Sequence, residues 1–252
     1  MNKTNIKRVL VVGATGSVGR EVVATLKQYN LTPIALVRNI ERGKILFPDI
    51  ELVLGDLFDI ESLKHAVANI DAIIFTHGSN GDNGAKELDY GGVANIFRAL
   101  NGKRPRIALM TSIYVTQRTG QWLELKDWKR RSERLVRASG SIYTIVRPSW
   151  FDHIRKGDNR IELGQGDTLD GGIARCQIAE VLVNSLLTDT ASGKTFELRA
   201  VPGNNPEDWS ALFAPLEHDN GIDGALDAQN MPLSDEPDFV QHDLAELQKQ
   251  RT

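Results

Sequence analysis

Three glycines, Gly13, Gly16 and Gly19, punctuate Gly13-Ala14-Thr15-Gly16-Ser17-Val18-Gly19, between a short β-branched run and a segment of helical spacing. These residue types at this spacing suit the binding of phosphate. The free N–H groups and positive dipole end of a helix N-terminus attract an anion. Glycine lets the chain turn tightly and approach that anion closely. Thr15 and Ser17 add hydroxyls that either cap the helix or bond phosphate oxygens, and Val18 opens the helix's apolar face. Because the turn follows a strand and opens a helix, it reads as a pyrophosphate cradle rather than a plain glycine turn.

Other residues extend this chemistry. Arg38 ends a second apolar run, in Leu36-Val37-Arg38-Asn39, with no acid before Glu41. At this place in a dinucleotide-binding fold an acid accepts from the 2′-hydroxyl of NAD, whereas an arginine pairs with the 2′-phosphate of NADP. The expected cofactor is therefore NADP(H) in preference to NAD(H). Asp56 and Leu57, after Gly55, are placed to meet adenine by hydrogen bond and packing, unless Asp56 only shapes the turn. Thr76, His77 and Gly78 are expected to line the cofactor, with His77 as a wall residue rather than an acid–base catalyst.

The elements that would carry these residues can be read from periodicity. Strands are predicted at 6–12, 33–37, 52–54, 71–75, 106–111, 142–147 and 195–199. Helices are predicted at 18–29, 60–68 (with Asp59 as cap), 90–100, 123–139 and 178–187. Such alternation predicts an α/β fold, a doubly wound parallel sheet of Rossmann type in three α/β/α layers. After Pro202 the pattern decays, with short helices expected near 206–213 and 238–248. The expected division is a binding domain with built-in substrate pocket over 1–203 and a short appendage over 204–252.

Charge separates the same two parts. Of 33 acids and 30 bases, eleven acids and two bases lie from Gly203 onward, which leaves a mildly basic body and an acidic tail. The tail suggests a surface for a homodimer or a protein partner. Nucleic acid is not expected, because no basic run is interleaved with aromatics. A lone cysteine, Cys176, excludes an internal disulfide and a cysteine metal cluster, and is read as packed. No stretch reaches the roughly 20 apolar residues of a membrane span, and no signal peptide is visible, so a cytoplasmic protein without membrane contact is expected.

Taken together, GATGSVG at Gly13, VRN at Val37, GDLFD at Gly55, TS at Thr111 and SGSIYTIVRPSW at Ser139 resemble the short-chain dehydrogenase/reductase superfamily. The likeness is to its atypical, NmrA-like and epimerase/dehydratase-like members, over roughly residues 6–200. It implies that Thr111, Pro148 and Ser149 border the cofactor. It also implies that Ser112 and Lys129 match the catalytic serine and lysine, the lysine also holding the nicotinamide ribose. The catalytic tyrosine belongs four residues before the lysine, and that position is Leu125. Tyr114 is a candidate replacement acid or a pocket wall; Trp150, Phe151 and His153 are candidate substrate walls. The crowd of Lys126, Arg130, Arg131, Arg134 and Arg137 around Lys129 argues for a solvated basic face. Three functions remain open: an NADP(H)-dependent oxidoreductase reducing a small carbonyl, quinone or flavin-like acceptor; a non-catalytic NADP(H) sensor or partner-binding protein; and a sugar-nucleotide epimerase or dehydratase.

Overall fold

In the computed structural model, which describes residues 6–251, strand and helix alternate through the body of the chain. The first half comprises β1 (Arg8–Val12), α1 (Ser17–Gln28), β2 (Thr32–Val37), α2 (Ile40–Leu46), β3 (Glu51–Leu54), α3 (Ile60–Ala66) and β4 (Ala72–Phe75). The second begins with α4 (Gly91–Leu100), β5 (Arg106–Met110), α5 (Leu123–Ala138) and β6 (Tyr143–Pro148). Three short strands follow, β7 (Trp150–Phe151), β8 (Arg160–Gly164) and β9 (Gly172–Ile173), then α6 (Arg175–Leu187) and β10 (Lys194–Val201). The tail holds α7 (Trp209–Phe213) and α8 (Asp238–Lys249).

Eight strands form one sheet in the order β3-β2-β1-β4-β5-β6-β10-β8. All pairs are parallel except β10–β8. Val9 and Val11 of β1 point into a core shared with α1, α6 and α7. Leu10 and Val12 point the other way, toward α3, α4, α5 and α8. Helices thus cover both faces, which is why the central strands read as unbroken apolar runs instead of alternating ones. β1 pairs with β2 on one side and β4 on the other, so the connections diverge at its C-terminal end and leave a crevice there.

The doubly wound α/β/α architecture agrees with the expectation from sequence; α2 and the short strands β7, β8 and β9 were not foreseen. α2 is capped by Asn39, whose side chain accepts from the Arg42 N–H. Gly43 inside it obscured the pattern; a β-carbon there would come 3.0 Å from the Leu52 side chain, so the glycine favours close packing on β3. Antiparallel β8 carries Arg160 and Glu162 and sits at the sheet edge, where charge is favoured over an apolar signature. Cys176 is exposed on the first turn of α6, contrary to its reading as packed.

The largest correction concerns α5. Its arginines are not a solvated face: Arg130, Arg131, Arg134 and Arg137 are all buried. The acidic tail covers them. Glu236 pairs with Arg130, Arg131 and Arg134, while Asp223 takes Arg134 and Asp219 takes Arg137. Below them Glu133 bonds Arg137 and Arg147, and Asp227 completes Arg147. Phe239 of α8 stacks on Trp128 at 6.0 Å. Removing water from such charges is costly unless each has a partner, so the tail's carboxylates and the helix's arginines need one another. The tail thereby fixes the element that carries Lys129.

Candidate active site

Gly13 begins the turn at φ +86, and a β-carbon there would lie 2.6 Å from the His77 backbone nitrogen. A β-carbon on Gly19 would collide with the Gly13 carbonyl, so Gly19 serves the packing of α1 on the turn. Gly16 is the N-cap of α1 and no side chain caps the helix. Thr15 and Ser17 are exposed, so of the two roles expected for them capping is excluded and their hydroxyls are left for a ligand. The turn floors a cleft of about 690 Å³ that runs over the ends of β2 and β3. Arg38, Asp56 and Leu57 line it, as does Phe58, which is 57% exposed and was not foreseen. Arg38 makes no ion pair among the described residues. Asp56 spends one carboxylate oxygen on the Phe58 N–H, so it does shape the turn, while still bordering the cleft.

Thr76, His77, Gly78, Ser79 and Asn80 border both this cleft and a second chamber of about 570 Å³. Into the second chamber face Ser17, Val18, Thr111, Ser112, Tyr114, Lys129, Pro148 and Ser149. Leu125 lines it too, so the position of the absent tyrosine does face the chamber. Lys129 is buried and bonds Asp89 Oδ1 at 2.7 Å. Asp89 lies on a π-helical turn, Lys86–Tyr90, that precedes α4. Its other oxygen accepts from the Ser79 N–H and hydroxyl, at 3.0 and 2.6 Å. One carboxylate therefore ties the lysine to the loop after β4. Gly78 makes room for this, since a β-carbon there would come 3.1 Å from both Lys129 Nζ and Asp89. Asp82, farther along the loop, accepts from the Leu125 N–H and so caps α5 from outside the helix.

Ionisation limits the roles available. Burial pushes the His77 pKa down to about 4, with Asp89 pulling it up and Lys129 pressing it down. The ring is neutral at pH 7, its Nε2 donating to the Leu88 carbonyl at 3.2 Å. Its buried Nδ1 has no partner among the described residues. That arrangement suits a wall that accepts a hydrogen bond, not an acid. Burial, then the bond and charge of Asp170, push Tyr114 up to about 12, so it holds its proton. The Thr111 hydroxyl donates to Glu133 at 2.7 Å and is turned from the chamber into the ion cluster. Ser149 Oγ is buried with no partner among the described residues. Buried polar atoms seldom go unpaired, and two of those that do among the described residues, His77 Nδ1 and Ser149 Oγ, belong to residues that border the chamber beside the glycine cradle. The residues present therefore fit a dinucleotide, which Arg38, the glycine turn and Ser149 would hold.

A family model described as NAD(P)H-binding matches residues 13–189. The chain belongs to this NAD(P)H-binding family. Within that family its site serves a nicotinamide cofactor. The NAD(P)H-binding chain is 29% identical over 243 residues to an uncharacterised chloroplast protein of Arabidopsis thaliana, covering 82% of this chain and 75% of that one. It is 32% identical over 96 residues to sanguinarine reductase of Eschscholzia californica, 35% of each chain. Among solved structures it resembles a Bacillus halodurans protein provisionally described as an NAD-dependent epimerase/dehydratase. There the TM-score is 0.70 and the identity 26%, over 83% of this chain and 97% of that one. The relatives thus span reductase and epimerase descriptions on one NAD(P)H-binding fold.

Of the residues singled out from sequence in this NAD(P)H-binding chain, all but Gly19 line one of the two spaces. Those missed include Asp89, Ser79, Asn80, Phe58, Trp122 and Lys126. Asp89 stands 40 residues from Lys129 in the chain, and only a sheet crossing brings them together. Gly13→Ala tests the cradle: forcing a β-carbon into a left-handed position against His77 is expected to cost about 2 kcal/mol and to abolish dinucleotide binding. Thermal unfolding and a binding titration check both, and a variant that binds normally would remove the turn from the site.

Proposed function

We propose that the protein is an NADPH-dependent oxidoreductase that reduces a small carbonyl, quinone or flavin-like acceptor. The observation that carries this reading is the second chamber. It adjoins the cradle through the shared Thr76–Asn80 segment and is walled by Ile113, Leu125, Trp150 and Phe151, enough apolar surface to hold an organic acceptor.

Bound reduced nicotinamide supplies the hydride. The chain supplies position and charge. Asp89 orients Lys129, which lines the chamber and would hold the nicotinamide ribose hydroxyls. Ser149 Oγ and the bare His77 Nδ1 are the unpaired atoms left for polar edges of the ligand. Ser112 borders the acceptor space. Leu125 has no proton to give, and a quinone or flavin needs none from it, because its reduced oxygen or nitrogen takes a proton from water. Tyr114, with its proton held, serves as wall. Leu125 also favours a second reading, a non-catalytic NADP(H)-binding sensor. An epimerase would need the tyrosine that Leu125 replaces.

The preference for NADPH rests on Arg38, which is exposed at the cleft, free of any ion pair among the described residues, and has no carboxylate beside it at the end of β2. The test is a titration with NADPH and NADH followed by turnover on a quinone and flavin panel. Arg38→Ala is expected to weaken NADPH binding by about 10- to 100-fold, the worth of a charged hydrogen-bonded contact, and to leave NADH unchanged. Equal losses for both would remove the 2′-phosphate assignment. Tight binding with no turnover on any acceptor would transfer the reading to the sensor.

A further inference from the structure

The outer part of the second chamber differs from the part beside the cradle. Trp122, Trp150, Tyr114 and Phe151 line it. Ring centroids are 6.3 Å apart for Trp122 and Trp150 and 6.5 Å for Tyr114 and Trp150. The tryptophans are 47% and 42% exposed, although burial is the usual fate of so large an apolar side chain. Trp150 is nevertheless fixed, its Nε1 donating to Asp170 at 3.1 Å. Exposed aromatic faces held in place at a cavity mouth offer stacking to a planar ring.

The charged residues that line this chamber, Lys126 and Lys129, are both cationic, with no aspartate or glutamate among the described lining residues; the carboxylate behind the mouth, Asp170, is taken up by Trp150 Nε1, the Gly171 N–H and Tyr114. The two lysines are three apart on α5 and so share a face. Lys129 is spent on Asp89. Lys126 makes no ion pair among the described residues; its Nζ stands 5.6 Å from the centre of the Tyr114 ring. A half-buried cation among aromatic walls, with no counter-charge of its own, selects an anion.

We propose that the acceptor is a planar aromatic molecule carrying an anionic group, its rings against Trp122 and Trp150 and its anion on Lys126. The binding claim stands on the chamber alone; that the bound molecule is reduced rests on the oxidoreductase reading above. Lys126 is a specificity residue, outside the hydride-transfer machinery.

Two ligands of one shape separate charge from stacking: anthraquinone-2-sulfonate and the neutral anthraquinone-2-sulfonamide. Calorimetry with NADP-saturated protein reads binding, and NADPH absorbance reads turnover. The sulfonate is expected to bind about tenfold tighter, the factor of one charge-assisted contact at a half-exposed site. Lys126→Gln is expected to erase that preference and leave the sulfonamide unchanged. Trp150→Ala is expected to weaken both by about tenfold. Equal affinities in the parent protein, a preference that survives Lys126→Gln, or no binding of either ligand overturns the proposal. Charge-selective binding without NADPH oxidation upholds the ligand class and sinks the oxidoreductase reading. Oxidation of NADPH with both ligands at equal affinity does the reverse.

Discussion

Glu133→Ala is expected to lower the stability of this protein by about 3–5 kcal/mol, the cost of breaking a buried ion cluster by removing one partner. Glu133 is wholly buried. It accepts from Arg147 Nε and Nη2 at 3.0 and 2.7 Å, from Arg137 at 3.1 Å and from the Thr111 hydroxyl at 2.7 Å. Without it Arg137 keeps Asp219 and Arg147 keeps Asp227, but neither guanidinium stays fully paired. Burial by itself would push the Glu133 carboxyl up. The charge and bond of Arg147, with Arg137 and Thr111, outweigh burial and hold it at about 2, below the ordinary 4.5. A carboxyl depressed on folding gives stability that is present above its unfolded pKa and lost as pH falls toward its folded one. The native protein should therefore lose stability between about pH 4.5 and pH 2, and Glu133→Gln should flatten that limb while already being less stable at pH 7. Denaturant unfolding across this pH range checks both. A variant as stable as the parent at pH 7 would mean the arginines find other partners.

Lys129→Ala should act on binding and stability together. The substitution leaves Asp89 buried with Ser79 as its remaining partner, at a cost of about 3–5 kcal/mol. It should also weaken dinucleotide binding by about tenfold through loss of the ribose contact. The effects separate experimentally: calorimetric affinity at a temperature where the variant is fully folded reads the contact, and chemical unfolding reads the pair. Asp89→Asn should reproduce much of the stability loss, because Lys129 then loses its counter-charge, while keeping more of the affinity. Unchanged affinity in Lys129→Ala would restrict the lysine to holding the loop after β4.

The sequence by itself determined the doubly wound sheet, the glycine turn, and several of the residues lining the crevice. These are local signals: apolar runs of strand length, helical periodicity, and glycines at a strand–turn–helix junction. The end of β2 is also local, and Arg38 was found there for that reason. Leu125 could be identified as the absent tyrosine because Lys129 marks its helix.

Tertiary structure alone decided the status of α5. Read locally, six basic residues on one helix are a solvated face, since burying one such charge without a partner is prohibitive. The partners stand 80 or more residues away in the tail, as with Arg134 and Asp223 or Arg131 and Glu236. No periodicity encodes such a match. The Asp89–Lys129 pair was hidden for the same reason. So was the aromatic mouth of the second chamber, where Tyr114 and Trp122, both on the connection from β5 to α5, meet Trp150 of β7 only in the folded chain. Spacing along the chain sets which backbone hydrogen bonds form; the pairing of buried charges and the shape of a cavity depend on which distant segments pack, and packing exists only in the folded chain.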